Sequence, residues 1–112
     1  MTASAVTTLM SLDQPPTALL LCGDDIVRWT YRGLRDAGRE PGRDVAVIGT
    51  NDRPWCPHVS PTLTSIGMDL DTGAEFVCQE LDRVSHGEPG TIETLTTTLH
   101  ERESTQCSPA AS

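Results

Sequence analysis

Between residues 17 and 52 the hydrophobic and polar positions fall into blocks: an apolar run, an acidic turn, a helical stripe, a second apolar run and a polar turn. Residues 18–22 are continuously apolar and of strand length. Asp24 and Asp25 follow, residues suited to capping a helix and to complementing its N-terminal dipole. Ile26, Thr30, Leu34 and Ala37 then recur at helical spacing, and Gly38 is a stop signal. Residues 45–48 form the second run. Runs apolar on both faces suit a parallel sheet covered by helices. Both polar turns, Gly23-Asp24-Asp25 and Gly49-Thr50-Asn51-Asp52, leave the carboxyl ends of strands, the edge where open α/β sheets bind ligands.

The same reading extends along the chain. Residues 3–10 predict a weak helix that ends before Asp13-Gln14-Pro15-Pro16. Residues 39–43 and 53–60 predict loops, and residues 63–66 a short strand. Asp69 or Asp71 is the expected cap of a second long helix, with Leu70, Ala74, Val77, Leu81 and Val84 on one stripe and His86 and Gly87 as stops. Residues 91–99 are rich in β-branched side chains and predict a last strand. Residues 106–112 are small and polar, and predict a flexible tail. The order is β-α-β-β-α-β with a parallel first unit, an α/β layer fold with a right-handed crossover.

Several blocks resemble the C-terminal part of the effector-binding domain of LacI/GalR-type transcriptional regulators. Residues 44–52, Asp-Val-Ala-Val-Ile-Gly-Thr-Asn-Asp, are similar to the family's "D-V-x-V-x-G-[FY]-D-[DN]". Residues 61–66 resemble its "P-x-L-T-T-[IV]", and residues 99–105 its terminal "L-x-x-R-x-S-[ST]". With the earlier part of the stretch of residues 17–52 they stand in family order, and the resemblance covers nearly the whole chain. It implies an α/β fold with a three-layer, partly parallel sheet, a fragment of the type I periplasmic-binding-protein-like fold. Residues 1–105 would supply part of the C-terminal subdomain plus the crossing segment. Met1 would fall in mid-domain, and the DNA-binding headpiece would lie upstream.

The resemblance also assigns roles. Asn51 stands where the family has an aspartate that hydrogen-bonds sugar hydroxyls, and an amide both donates and accepts. A bland alternative is a turn residue tolerant of unusual dihedrals. Asp24 aligns with the aspartate of the family's "[AC]-x-N-D" motif, while Gly23 replaces its asparagine and removes one contact. Asp25 and Asp52 are further effector-binding candidates, with helix capping as the plainer role for Asp24 and Asp25. Trp55 either stacks on a sugar face or packs its loop. The first long helix lies at the family's dimer interface, so Arg28, Trp29 and Tyr31 are candidate subunit contacts, with core packing as the alternative for Trp29. The implied partners are a carbohydrate or nucleoside effector and a second copy of the chain.

Composition narrows these readings. A net charge of −8 does not attract phosphate backbones, so this chain itself is not expected to touch DNA. No apolar run approaches the length of a membrane span, and no signal-peptide core opens the chain. A cytoplasmic location follows as the expectation. The chain has no lysine, which removes both a Walker A loop and a phospho-acceptor receiver. No serine sits on a strand-to-helix elbow, and neither cysteines nor histidines have metal-ligand spacing. No enzyme activity, cofactor or metal is expected. Cys22 and Cys78 lie in apolar patterns and are expected in the core, and the three histidines at the surface. A periplasmic sugar-binding protein of the same fold, or a remnant acting only in protein contacts, are the competing readings.

Overall fold

The computed structural model describes residues 2–107, so residues 108–112 of the expected tail lie outside the described residues. The chain divides into two compact units, Met1–Gly67 with Leu99–Ser112, and Met68–Thr98. In chain order the regular elements are α1 (Ala3–Met10), β1 (Ala18–Leu20), α2 (Val27–Asp36), β2 (Ala46–Thr50), β3 (Thr64–Met68), α3 (Leu70–Ser85) and β4 (Thr97–His100). Single 3-10 turns cover Asp24–Ile26, Cys56–His58 and Glu103–Thr105.

The strands form one sheet in the order β1-β2-β3-β4. β1 pairs with β2 in parallel, Leu19 opposite Val47. β2 pairs with β3 in parallel, Gly49 opposite Ser65. A parallel pair needs a crossover, and α2 supplies it. The expected α/β architecture is therefore present, with α1 joined to its core.

Burial corrects two expectations about the strands. β1 is an edge strand and shorter than its apolar run, and Leu20 is 64% exposed. Of the two apolar runs only the one in β2 shows the expected inner face, with Val47 fully buried. The strand expected over residues 91–99 reduces to β4. Thr91 is held elsewhere, because its hydroxyl and its amide both donate to the carboxylate of Glu80, at 2.7 and 3.0 Å.

The buried face of α2 is Val27, Thr30, Tyr31, Gly33 and Leu34; Thr30 and Leu34 lie on it as the sequence stripe predicts, and Ile26 and Ala37 at its two ends are partly buried against the core. Thr30 satisfies its hydroxyl on the Ile26 carbonyl at 3.0 Å. α1 crosses this face at Gly33, where an added Cβ would meet the Ala3 carbonyl oxygen and the Val6 side chain. The helix that reads as weak in sequence thus contributes Val6 and Met10 to the core, beside Leu21, Leu34, Val45, Val47 and Leu63. α2 ends as expected: Gly38 takes φ +74 and donates to the Arg35 carbonyl, while the Arg39 amide donates to that of Leu34.

The cysteine expectation is reversed. Cys22 and Cys78 are exposed, and Cys56 is the buried thiol. Cys22 follows the end of the edge strand, and α3, which carries Cys78, has no buried residue. Within its own unit α3 is capped by Asp69, whose carboxylate accepts from the amides of Asp71 and Thr72. Leu70, Val77, Leu81 and Val84 of its stripe are all exposed.

Candidate functional site

The carboxyl ends of β1, β2 and β3 lie side by side, so the turns that leave them share one edge. Gly23 takes φ +114, a backbone open to glycine at no steric cost. Its amide donates to the Thr50 hydroxyl at 2.8 Å, which fastens the first turn to the end of β2. After β2 two consecutive non-glycine residues take positive φ, Asn51 at 97° and Asp52 at 46°. The Asn51 amide donates to the Ile66 carbonyl on β3 at 2.7 Å.

Beneath these turns lies the carboxylate of Asp24, fully buried. It accepts from the Ser65 hydroxyl at 2.9 Å, the Arg53 amide at 2.9 Å and the Cys56 thiol at 3.3 Å. Ser65 also accepts from the Asp52 amide at 2.9 Å. One buried acid therefore ties the turn after β1 to β3 and to the loop after β2. Gly49 has no side chain because the space where a Cβ would sit is filled by this carboxylate and by Leu63. Burial first, then the hydrogen bond and the negative charge of Asp24, push the Cys56 thiol up to about 12. Cys56 is thus a proton-bearing donor and not a nucleophile.

Asp52 is held from the other side. Its carboxylate accepts from the Arg102 guanidinium at 2.8 Å and lies 3.3 Å from the His100 ring. The second Arg102 arm donates to the Leu63 carbonyl at 2.7 Å, and the Arg102 amide to the Thr64 hydroxyl at 2.7 Å. Ser104 continues the seam, donating to the Val47 carbonyl at 2.6 Å and accepting from the Thr64 amide at 2.8 Å. No buried side-chain nitrogen or oxygen among the described residues lacks a partner.

The predicted site residues separate into groups. Asp24, Asn51 and Asp52 meet at the strand edge, but Asp24 is sealed beneath it and Asp52 is engaged with Arg102. Asn51 is exposed. The expected capping role fails for Asp24 and Asp25, since neither the 3-10 turn nor α2 receives a side-chain cap bond. Asp24 instead turns inward to its three donors. Asp25, Arg28 and Trp55 line a separate hollow of about 260 Å³ with Val27, His58 and Val59, and Trp55 packs against the core. Trp29 is 49% exposed, which rules out core packing within this chain. Tyr31 is buried and donates its hydroxyl to the Pro61 carbonyl at 3.0 Å, so it offers little surface to a second chain.

Sequence reading missed Ser65, Cys56, His100 and Arg102. Ser65 lies in the block of residues 61–66 and Arg102 in that of residues 99–105, and that was their only signal. Cys56 lies outside the blocks, and His100 falls on an unspecified position of the last one. Among the described residues no group of three or more His, Cys, Asp or Glu is placed to hold a metal ion, and no helix is long and apolar enough to cross a membrane.

The model of the periplasmic binding protein-like domain matches residues 2–105. The chain is similar to the lactose operon repressor of Rhizobium radiobacter, 31% identical over 58 residues that make 52% of this chain and 51% of that protein. It is similar in structure to a LacI family transcriptional regulator from Enterococcus faecium with bound ribose. There the TM-score is 0.70 at 26% identity, over 94% of this chain and 40% of that one. It is also similar to a dimeric Lac repressor with a C-terminal deletion, with TM-score 0.79 and 22% identity over 95% of this chain and 41% of that one. The chain thus spans about half the length of the curated relative it matches and about two fifths of these solved structures. The resemblance read from the sequence blocks and these likenesses agree.

Proposed function

The chain belongs to the periplasmic binding protein-like domain family, and on that premise we propose that it serves as an effector-binding and dimerisation module of a LacI-type transcriptional regulator. Its effector is a carbohydrate or nucleoside, and it acts in the cytoplasm by binding and not by catalysis. The observation that carries this reading is the strand edge. Asn51 is exposed there in a left-handed turn, and that turn rests on a fully hydrogen-bonded layer of Asp24, Ser65 and Asp52. A rigid edge with one presented amide suits a neutral polyol, because the amide answers both the donor and the acceptor of a hydroxyl. The bound ribose of the Enterococcus faecium regulator supports the same class of ligand.

Effector contact falls to Asn51, with Asp25 and Trp55 at the neighbouring hollow. Asp24 and Asp52 serve from behind. Subunit contact falls to Arg28 and the half-exposed Trp29 on α2, with Tyr31 as the core residue beneath. The dimeric state of the similar Lac repressor supports pairing of copies. The net charge of −8 argues that these residues do not themselves contact DNA.

Titration calorimetry with ribose, other monosaccharides and nucleosides tests the reading. One strand edge encloses a ligand on one side only, so the expected affinity is about millimolar. Asn51→Ala is expected to abolish it. Equal binding by wild type and Asn51→Ala would remove Asn51 from the site. Loss of dimer on Trp29→Ala in sedimentation is the matching test for the interface.

A further inference from the structure

We propose that Asp24 and Arg102 are positioning residues, which hold the turn after β2 in its left-handed form from two sides so that Asn51 is presented at the strand edge. The proposal rests on the effector reading above, but it concerns residues that need not touch the effector.

Non-glycine residues rarely enter positive φ, and two in succession persist where surrounding contacts over-determine them. From beneath, Asp24 accepts the Arg53 amide and, through Ser65, anchors the Asp52 amide. From the side, Arg102 joins the Asp52 carboxylate to the Leu63 carbonyl at the start of β3. His100 stands at the second Asp52 oxygen. Asn51 and Asp52 are thus bracketed by bonds to three other segments, while Asn51 holds the outward place.

Asparagine and aspartate tolerate left-handed backbone better than most residues. The competing explanation is therefore that the turn holds itself. The two accounts differ in what happens when a brace is cut. If the turn is self-determined, removing Arg102 leaves its backbone unchanged. If it is braced, the backbone relaxes.

Nuclear magnetic resonance on the full chain reads this directly through the amide-to-Hα couplings of Asn51 and Asp52, which report φ. In Arg102→Gln these couplings are expected to average towards ordinary values, while the methyl signals of Val6 and Leu34 stay in place. Arg102→Lys is expected to recover part of the effect. Asp24→Asn is the second cut, and Arg102→Gln decides the matter if that buried variant does not fold. Ribose titration of Arg102→Gln is expected to show about tenfold weaker binding than wild type. Unchanged couplings in Arg102→Gln would overturn the proposal. A wild-type chain that binds no sugar or nucleoside would sink the effector reading and leave the couplings to judge the brace.

Discussion

The hydroxyl of Ser65 donates to the carboxylate of Asp24 at 2.9 Å across 41 positions of chain, and the same oxygen accepts the Asp52 amide at 2.9 Å. One small side chain on β3 thereby joins the turns that leave β1 and β2. Ser65→Ala removes a donor from a buried carboxylate and an acceptor from a backbone amide at once. The expected loss is about 2 kcal/mol, since hydrogen bonds to charged groups count more than neutral ones. Urea unfolding measures it. In an Asp24→Asn background the same change is expected to cost less, because the partners share one network. Full additivity of the two would contradict the network.

Gly33 is the point where α1 lies on α2. A Cβ there would meet the Ala3 carbonyl oxygen and the Val6 side chain, and backbone cannot step aside as a flexible side chain can. Gly33→Ala should lower stability by about 2 kcal/mol despite the better helix propensity of alanine. A stabilised variant in the same urea series would mean that α1 is not seated on α2 as described.

Alkali should weaken the fold before it reaches its arginines. Burial pushes the Tyr31 phenol from 10.0 up to about 12, against the pull of Ser104 and Arg35. Burial and Asp24 push the Cys56 thiol from 9.0 up to about 12. The folded chain holds these protons where the unfolded chain has begun to release them. Their contribution to stability is therefore complete below about pH 9 and is lost as pH rises towards about 12. Tyr31 is the single tyrosine, so phenolate absorbance reports it without ambiguity. A midpoint near 10 in the folded chain would show that the phenol is open to water.

α3 and α2 should answer alanine differently. Leu34 is fully buried, whereas Leu81 is 66% exposed and Val77 53%. Leu34→Ala is expected to cost about 3 kcal/mol, and Leu81→Ala to stay within about 0.5 kcal/mol of wild type. Hydrogen exchange should likewise open the α3 amides first, as few buried contacts hold that helix. A large loss from Leu81→Ala would mean that the stripe is covered in solution, and light scattering would then show whether a second copy covers it.

The sequence by itself determined the elements and their order. The apolar runs at residues 18–22 and 45–48, the helical stripe between them and Gly38 past its end are local signals, and local signals suffice for strand, crossover helix and parallel pairing. The cap at Asp69 was legible for the same reason, since a cap bonds to its own next residues. Asp24 reads locally as a cap as well, yet its three donors come from Arg53, Cys56 and Ser65. No periodicity encodes partners so far along the chain. Edge position decided that Leu20 faces water, and the seat of α1 on Gly33 decided that a weak helix belongs to the core. Arg102 and Asp52 show the same division: each sits in a recognisable block, but only the fold brings them to 2.8 Å. Secondary structure follows from neighbours in sequence, whereas the hydrogen bonds that shape the strand edge follow from neighbours in space, and those exist only once the sheet has closed.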